Sequence, residues 1–259
     1  MASNTTDFKE SYDEIKTILI SQPKPERSPY FDIEKKWDLK IDWRPFIHVE
    51  PVNSKEFRKY RIRPDEYSCV IFTSKGSIEH FFRMCEEMRS PMSQNTRYFC
   101  LTEAVANYLQ KFIVYRKRKV FVGIRKIKDL ENSLKKFKAT ENFLLPCSNL
   151  GAKDVVSYLE ENEYNFKDVI MYKTVASDLS DLSNVTYDVL VFFSPLGIES
   201  LYENFPNFKQ NATRLAIYGK STTKAVLDRG LRVNIAAPAP ETPSMSGALK
   251  AYLKKSNKQ

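Results

Sequence analysis

Short apolar runs alternate with amphipathic segments along the chain. Residues 189–193 (VLVFF) form one such run, rich in β-branched and aromatic residues, which is typical of a buried parallel strand. Ser194 and Pro195 interrupt the run, and residues 198–202 then carry one helical apolar face. Because serine favours the N-cap and proline the first helical position, this stretch predicts a strand, a tight turn and a helix.

The same pattern occurs a second time. Residues 67–82 (YSCVIFTSKGSIEHFF) align without a gap with residues 187–202 (YDVLVFFSPLGIESLY), at an offset of 187 − 67 = 120 residues. The repeat predicts two similar α/β domains, each with a polar turn at the C-terminal end of a strand. Such turns favour anions, because unpaired N–H groups and the helix dipole meet there.

The rest of the chain continues the alternation of strands and helices. Further strands are predicted at residues 15–22, 40–49, 97–101, 119–123, 142–146, 167–176, 215–218 and 233–237. Further helices are predicted at residues 30–37, 54–61, 103–111, 128–137, 153–161, 223–229 and 244–253, after a polar lead-in at residues 1–14. This alternation predicts mostly parallel sheets with right-handed crossovers.

The repeat also predicts how the chain divides. The opening strands have no sheet of their own unless they join the later half of the chain. We therefore expect one discontinuous α/β domain from residues 1–51 plus 174–259, with a second α/β domain, residues 54–172, inserted into it. The two adjacent connections then form a two-stranded hinge linker.

Composition narrows the function classes. Among 259 residues, 42% are hydrophobic and 28% charged, which are globular values. No apolar run reaches the roughly 20 residues that span a bilayer, and the N-terminus lacks a secretory layout. The four cysteines form no CxxC pair, which fits a reducing cytoplasm, and two histidines are too few for an imidazole-based metal site. We expect a cytoplasmic monomer without a membrane partner.

The net charge of 41 − 32 = +9 favours an acidic partner, either nucleic acid or a small polyanion. Many basic residues lie in one region: Lys111, Arg116, Lys117, Arg118, Lys119, Arg125, Lys126, Lys128, Lys135, Lys136 and Lys138. This region is either a solvated face or a binding surface. No zinc-finger spacing or RNA-recognition motif accompanies it, so a nucleic-acid-binding function depends on charge alone.

Six segments carry a resemblance to a known family. They are residues 70–81 (VIFTSKGSIEHF), 144–150 (LLPCSNL), 171–176 (MYKTVA), 191–201 (VFFSPLGIESL), 216–231 (AIYGKSTTKAVLDRGL) and 237–249 (APAPETPSMSGAL). In this order and spacing they resemble the uroporphyrinogen-III synthases of the heme pathway, over about residues 15–254.

The resemblance implies a fold and a reaction. It implies two α/β domains joined by a two-stranded linker, with the active site in the cleft between them. The implied reaction cyclises hydroxymethylbilane, a linear tetrapyrrole with many carboxylates, with loss of water and inversion of the last pyrrole ring. The resemblance implies no metal or organic cofactor.

The resemblance also implies site residues. Tyr172 is expected to help the leaving hydroxyl as an acid, because a phenol donates a hydrogen bond at neutral pH; the alternative is a half-buried strand tyrosine. Substrate carboxylates are expected at polar turns of both domains: Thr73, Ser74, Lys75, Gly76, Ser148 and Asn149, and Ser194, Pro195, Gly197, Gly219, Lys220, Ser221 and Thr222. Helix capping is the alternative role of each hydroxyl, and it is compatible with anion binding.

The chain departs from the family at one turn. Leu101 and Ala104 stand where the family often has glycine and threonine, and Glu103 would repel a carboxylate, so this turn is left out of the site. Lys75 and Lys220 stand where prolines are common, and their charges are expected to compensate. A non-catalytic module of the same fold that binds a tetrapyrrole or another polyanion is the main alternative function.

Overall fold

The computed structural model describes residues 12–257, so most of the predicted lead-in at residues 1–14 lies outside the described part. Two compact units divide the chain: Met1–His48 with Val175–Gln259 (unit 1) and Val49–Thr174 (unit 2). The strands are β1 (Thr17–Ile20), β2 (Lys40–Trp43), β3 (Ile47–Pro51), β4 (Cys69–Phe72), β5 (Arg97–Cys100), β6 (Val120–Val122), β7 (Phe143–Ser148), β8 (Phe166–Ala176), β9 (Val189–Phe192), β10 (Arg214–Tyr218) and β11 (Ile235–Ala237).

Helices follow most of these strands. They are α1 (Pro29–Trp37), α2 (Ser54–Phe57), α3 (Lys75–Glu87), α4 (Glu103–Leu109), α5 (Glu131–Leu134), α6 (Lys153–Glu161), α7 (Pro195–Asn204), α8 (Lys220–Leu227) and α9 (Met245–Ser256). Short 3₁₀ turns occur at Arg58–Tyr60, Pro64–Glu66, Ile127–Leu130 and Ser180–Leu182. None of the helices in the described part of the chain is long and apolar enough to cross a membrane.

Unit 1 is built on a five-stranded sheet in the order β11-β10-β9-β1-β2, whose neighbouring strands are parallel. Alternate residues of β9 point to opposite faces of this sheet. Val189 and Val191 pack in the cluster that contains Trp37 and Leu249 from α1 and α9, whereas Leu190 and Phe192 pack in the cluster with α7. Because both faces are covered, every residue of β9 is buried, which explains its continuous apolar run.

Unit 2 contains the sheet β3-β8-β7-β4-β5-β6, in which β4 through β8 form parallel pairs. Its central strand β4 is buried on both faces. Val70 and Phe72 pack with Phe81 of α3, while Ile71 packs on the opposite face with Leu159 of α6. The four cysteines are buried free thiols.

The two sheets have equivalent strand orders around their central strands. In unit 2, β4, β5 and β6 lie in succession to one side, and β7 and β8 lie on the other side of β4. In unit 1, β9, β10 and β11 lie in succession, and β1 and β2 lie on the other side of β9. The strand order of unit 1 is therefore a circular permutation of the order of β4 to β8 in unit 2, where β3 is an additional strand. The two sequence repeats begin at β4 and β9, the equivalent central strands.

Several predicted elements are wrong in extent, among them the following three. The strand predicted at residues 40–49 is divided into β2 and β3, because Arg44 donates its backbone N–H to Ile20 and Pro45 has no N–H. The helix predicted at residues 128–137 is a 3₁₀ turn followed by the one-turn α5. The strand predicted to end at Pro146 continues through Cys147 to Ser148, because β8 pairs with it that far.

Candidate anion-binding turns and the Tyr172 site

Tyr172 lies on β8 in unit 2 and is held on three sides. Its hydroxyl is 3.2 Å from Ser74 Oγ. A Cβ atom built on Gly76 would lie 3.3 Å from both Cζ and Oη of Tyr172, so the ring lies directly against the glycine backbone. On a further side the His80 ring stacks on the Tyr172 ring, with centroids 4.8 Å apart and an interplanar angle of 26°. These contacts fix the position of the phenol.

Ser74 is the N-cap of α3, and it forms a reciprocal capping box with Ser77. Ser74 Oγ accepts the backbone N–H of Ser77 at 3.1 Å, and Ser77 Oγ accepts the backbone N–H of Ser74 at 3.2 Å. Thr73 is half-buried beside this turn, and Lys75 is exposed, with its Nζ 5.8 Å from the ring centroid of Tyr108. The capped turn thus presents a hydroxyl to Tyr172 and a cation to solvent.

Ser148 and Asn149 lie at the end of β7. Ser148 pairs with Tyr172 after a register shift at Cys147, and it belongs to the strand where the sequence predicted a turn. Asn149 donates its backbone N–H to Tyr172 O at 3.1 Å, and its side chain accepts from Thr174 N at 2.8 Å and donates to Thr174 O at 3.1 Å. Asn149 therefore holds β8 at Tyr172 and at Thr174.

The strand order explains why these residues meet. In unit 2 the chain leaves β4 toward β5 on one side of the sheet, and β7 lies on the other side of β4. Open α/β sheets bind ligands outside the carboxyl ends of the strands at such a switch point. Ser74 follows β4 and Asn149 follows β7, so both lie at this point of the sheet.

His80 is a residue that the sequence reasoning missed as part of this site. Burial lowers the pKa of its imidazole, and the positive charge of Arg83 lowers it further, against an opposing effect of Glu79. Its Nδ1 is buried and has no hydrogen-bond partner among residues 12–257. The lowered pKa favours the neutral form of the ring that stacks on Tyr172. One signal was present, since His80 lies four residues after Gly76 and hence on the same face of α3.

The equivalent turn in unit 1 is centred on Ser194. As predicted, Ser194 is the N-cap of α7, with Pro195 at the first helical position and the Gly197 N–H donating to Ser194 Oγ at 3.3 Å. A Cβ on Gly197 would lie 3.0 Å from the Phe192 ring, so this glycine allows α7 to pack closely on β9. The turn is ordered by its cap. Since Pro195 has no N–H and the Gly197 N–H is donated to Ser194, Leu196 is the one of these three helical residues whose N–H is left for an anion.

The second turn of unit 1 follows β10, and its predicted cap is wrong. Thr222 was expected to cap a helix starting at residue 223, but α8 begins at Lys220 and has Gly219 at the N-cap, with φ 86°. Thr222 is buried, 1% exposed, within the first turn. Because no side chain caps α8, its first N–H groups are left for a ligand, next to the exposed Lys220 and Ser221.

A residue at the switch point of unit 1 was also missed. This point lies between β1 and β9, and β1 ends at Ile20. Ser21 follows it and donates its backbone N–H to Val191 O at 3.1 Å, which places the loop after β1 next to the strand that ends before Ser194. Only the strand order reveals this, because Ser21 and Ser194 are far apart in sequence.

Fold and site together define the class of protein. It is a doubly wound α/β protein with two parallel sheets, each with polar turns at the C-terminal ends of its strands, some of which carry an exposed lysine, and this suits a ligand with several anionic groups. Within residues 12–257 no three His, Cys, Asp or Glu side chains are grouped so that they could hold a metal ion.

Comparison with known proteins identifies the family. The model of the family described as uroporphyrinogen-III synthase HemD matches residues 39–247. The uroporphyrinogen-III synthase of Chlorobaculum parvum is 22% identical over 259 residues, an alignment that covers 93% of this chain and all of that protein. The chain belongs to the uroporphyrinogen-III synthase family, as the six sequence segments predicted.

Solved structures share the fold. Uroporphyrinogen-III synthetase from Helicobacter pylori has a TM-score of 0.57 and 15% identity, and the match covers 93% of this chain and 99% of that one. A mutant uroporphyrinogen III synthase from the extremely thermophilic bacterium Thermus thermophilus has a TM-score of 0.55 and 14% identity, with the same coverage. The predicted architecture of two parallel-sheet α/β domains is thereby confirmed.

Proposed function

We propose that this protein is a uroporphyrinogen-III synthase: a lyase that cyclises hydroxymethylbilane with loss of water and inversion of the last pyrrole ring. The observation that carries the proposal is Tyr172, fixed by Ser74, Gly76 and His80 at the switch point of unit 2. Membership of the family gives this constellation its chemical context.

Tyr172 is proposed as the acid that assists departure of the terminal hydroxyl. Ser74 Oγ already accepts the Ser77 N–H, so its own proton is free to be donated to Tyr172 Oη. The phenol then accepts from Ser74 and keeps its proton for the substrate, and the same hydrogen bond stabilises the charge that develops on the phenol oxygen as its proton moves. No metal or organic cofactor enters this step.

The remaining proposed residues bind carboxylates. Thr73, Lys75 and the Ser74–Gly76 turn act in unit 2, with Ser148 and Asn149 beside them; Ser194, Pro195, Gly197, Gly219, Lys220, Ser221 and Thr222 act in unit 1. Several weak anion sites hold a polycarboxylate in one geometry, and a fixed geometry directs ring closure toward the inverted isomer. Each tenfold preference for the inverted isomer needs only about 1.4 kcal/mol of difference between barriers.

An assay with isomer analysis tests the proposal. Purified protein is fed freshly made hydroxymethylbilane, the products are oxidised, and the type I and type III uroporphyrins are separated. We expect predominantly type III product. Type I product alone, formed at the rate of a protein-free control, would reject the synthase and leave a binding module of the same fold.

Tyr172→Phe then tests the acid. Because general acid catalysis contributes roughly 10²-fold or more, we expect kcat for type III formation to fall by about 100-fold or more. Tyr202→Phe is the matched control, since Tyr202 lies on α7 and its ring contacts Phe208 and Arg229. Equal rates in wild type and Tyr172→Phe would show that Tyr172 is not the acid. The conclusion from the isomer analysis would be unaffected.

A further inference from the structure

Unit 2 contains a cavity near the N-terminal ends of its strands, whereas the Tyr172 site lies near their C-terminal ends. Its volume is about 540 Å³, within the range of small-molecule sites. It is lined by α3, by residues 89–96, by the start of β5 and by residues 111–119. In a parallel sheet the starts and the carboxyl ends of the strands lie at opposite edges, so this cavity is separate from the turns that follow β4 and β7.

One wall of the cavity is aromatic. Phe82 and Phe112 are stacked with ring centroids 5.0 Å apart and 12° between their planes, and Tyr98 lies 6.3 Å from Phe82. Phe112 is 37% exposed, and Val114 beside it is 81% exposed. An exposed ring on a stacked pair offers a face for a further planar ring.

The rim of the cavity is strongly basic. Arg89, Lys111, Arg116 and Lys119 line it against a single acid, Glu86, so the local charge is 4 − 1 = +3. None of the four cations forms a salt bridge with a residue in the described part of the chain. Arg116 donates to Gln94 Oε1 at 3.0 Å, and Lys119 Nζ donates to the backbone oxygen of Asn95 at 3.1 Å.

These neutral contacts hold the charges in place without neutralising them. A solvated basic face requires neither a cavity nor an aromatic wall. Here the first nine residues of the basic region (KFIVYRKRK, 111–119) supply one aromatic ring, Phe112, and three cations to the cavity.

We propose that this cavity binds a small planar aromatic compound that carries two or more acidic groups. The aromatic ring stacks on Phe112, and the acidic groups meet Arg116 and Lys119. This ligand is additional to the substrate of the Tyr172 site, and the proposal does not depend on the proposed function.

Binding of 1,3,6,8-pyrenetetrasulfonate, a planar fluorescent tetra-anion, tests the proposal. The full-length protein is titrated into the probe and fluorescence anisotropy is recorded. We expect one site per chain, with an affinity that falls as salt is raised. Arg116→Gln with Lys119→Gln should weaken binding about tenfold or more, because two charge-assisted contacts to the acidic groups are lost.

Two matched controls accompany this pair. Lys136→Gln with Lys138→Gln removes the same charge from the basic region outside the cavity lining, and it should change the affinity less than about twofold. Phe208→Ala alters a different cavity, in unit 1, and should leave probe binding unchanged. Equal losses in the two double variants, or loss in Phe208→Ala, would overturn the proposal.

The aromatic wall is tested separately. Phe112→Leu keeps apolar bulk and removes the ring, and we expect about a fivefold weaker affinity because the stacking of the ligand ring on Phe112 is lost. Circular dichroism melting confirms that each variant is folded. No binding of the probe, or binding of oligonucleotides only with affinity rising with their length, would overturn a small-ligand site and favour nucleic acid.

Discussion

Replacing Gly76 by alanine sets two opposing effects against each other at the Tyr172 site. Gly76 lies in the first turn of α3, where alanine is the better helix former by about 0.5–1 kcal/mol. The new Cβ, however, would lie 3.3 Å from Cζ and Oη of Tyr172. Since carbon atoms pack at about 3.5–4.0 Å, the phenol must move by a few tenths of an ångström or more.

That displacement determines the expected result. Ser74 Oγ and Tyr172 Oη are already 3.2 Å apart, and a hydrogen bond is lost by about 3.6 Å. Losing it costs about 1 kcal/mol, close to the gain in helix propensity, so the free energy of unfolding should change by less than about 1 kcal/mol. Misplacing a reacting group by a fraction of an ångström should lower kcat about tenfold.

The assay measures both quantities in Gly76→Ala and in Tyr172→Phe. Urea unfolding gives the stability, and the rate of type III product gives kcat. The double variant completes a thermodynamic cycle: if Gly76→Ala acts through the phenol, its effect on kcat should largely disappear in the Tyr172→Phe background. Full activity in Gly76→Ala, or the same tenfold loss in both backgrounds, would refute the reasoning.

Three further predictions follow from the described contacts. His80→Ala should lower kcat by up to about tenfold, since ring stacking contributes about 0.5–1.5 kcal/mol, whereas His80→Phe keeps the stack and most activity; equal kcat in both would contradict this. Lys75→Ala with Lys220→Ala should raise KM about threefold to tenfold in steady-state assays with kcat little changed, and an unchanged KM would reject the charge compensation. Hydrogen bonds from Arg63 and then from the Ser90 hydroxyl lower the pKa of Asp65 from 3.8 to about 2. This stabilisation is present above pH 3.8 and is lost as the pH falls toward 2. In urea unfolding, the free energy of unfolding of Asp65→Asn should therefore decrease less than that of wild type as the pH is lowered from 3.8 toward 2.

Local elements could be predicted from the sequence where a strong strand former is followed by a capping residue. The serine after β9 is such a case, because the apolar run, Ser194 and Pro195 all favour the same turn. The helix at Lys153–Glu161 has the predicted bounds for a similar reason, since its apolar residues recur at helical spacing. Prediction failed where pairing with a distant strand overrides the local preference. Ser148 was predicted in a turn, but it pairs with Tyr172 of β8 and so belongs to β7.

The site could be predicted only in part. Ser74, Gly76 and Tyr172 were all expected at one site, and the structure brings them into contact. The i, i+4 spacing places His80 on the same face of α3 as Gly76, but its contact with Tyr172 depends on how β8 packs against α3, which local spacing does not encode. Thr222 is similar, because the choice between capping α8 and being buried in it depends on where the helix starts after β10.

The permuted strand order has a consequence for how the chain acquires its structure during synthesis. Strands β4 to β8 of unit 2 come from one continuous segment, so their sheet can form as soon as that segment has left the ribosome. Unit 1 pairs Ile18 with Val189, so β1 needs a neighbour that is made much later. Its first two strands, too few to be stable alone, must therefore wait until all of unit 2 and then β9 have been translated.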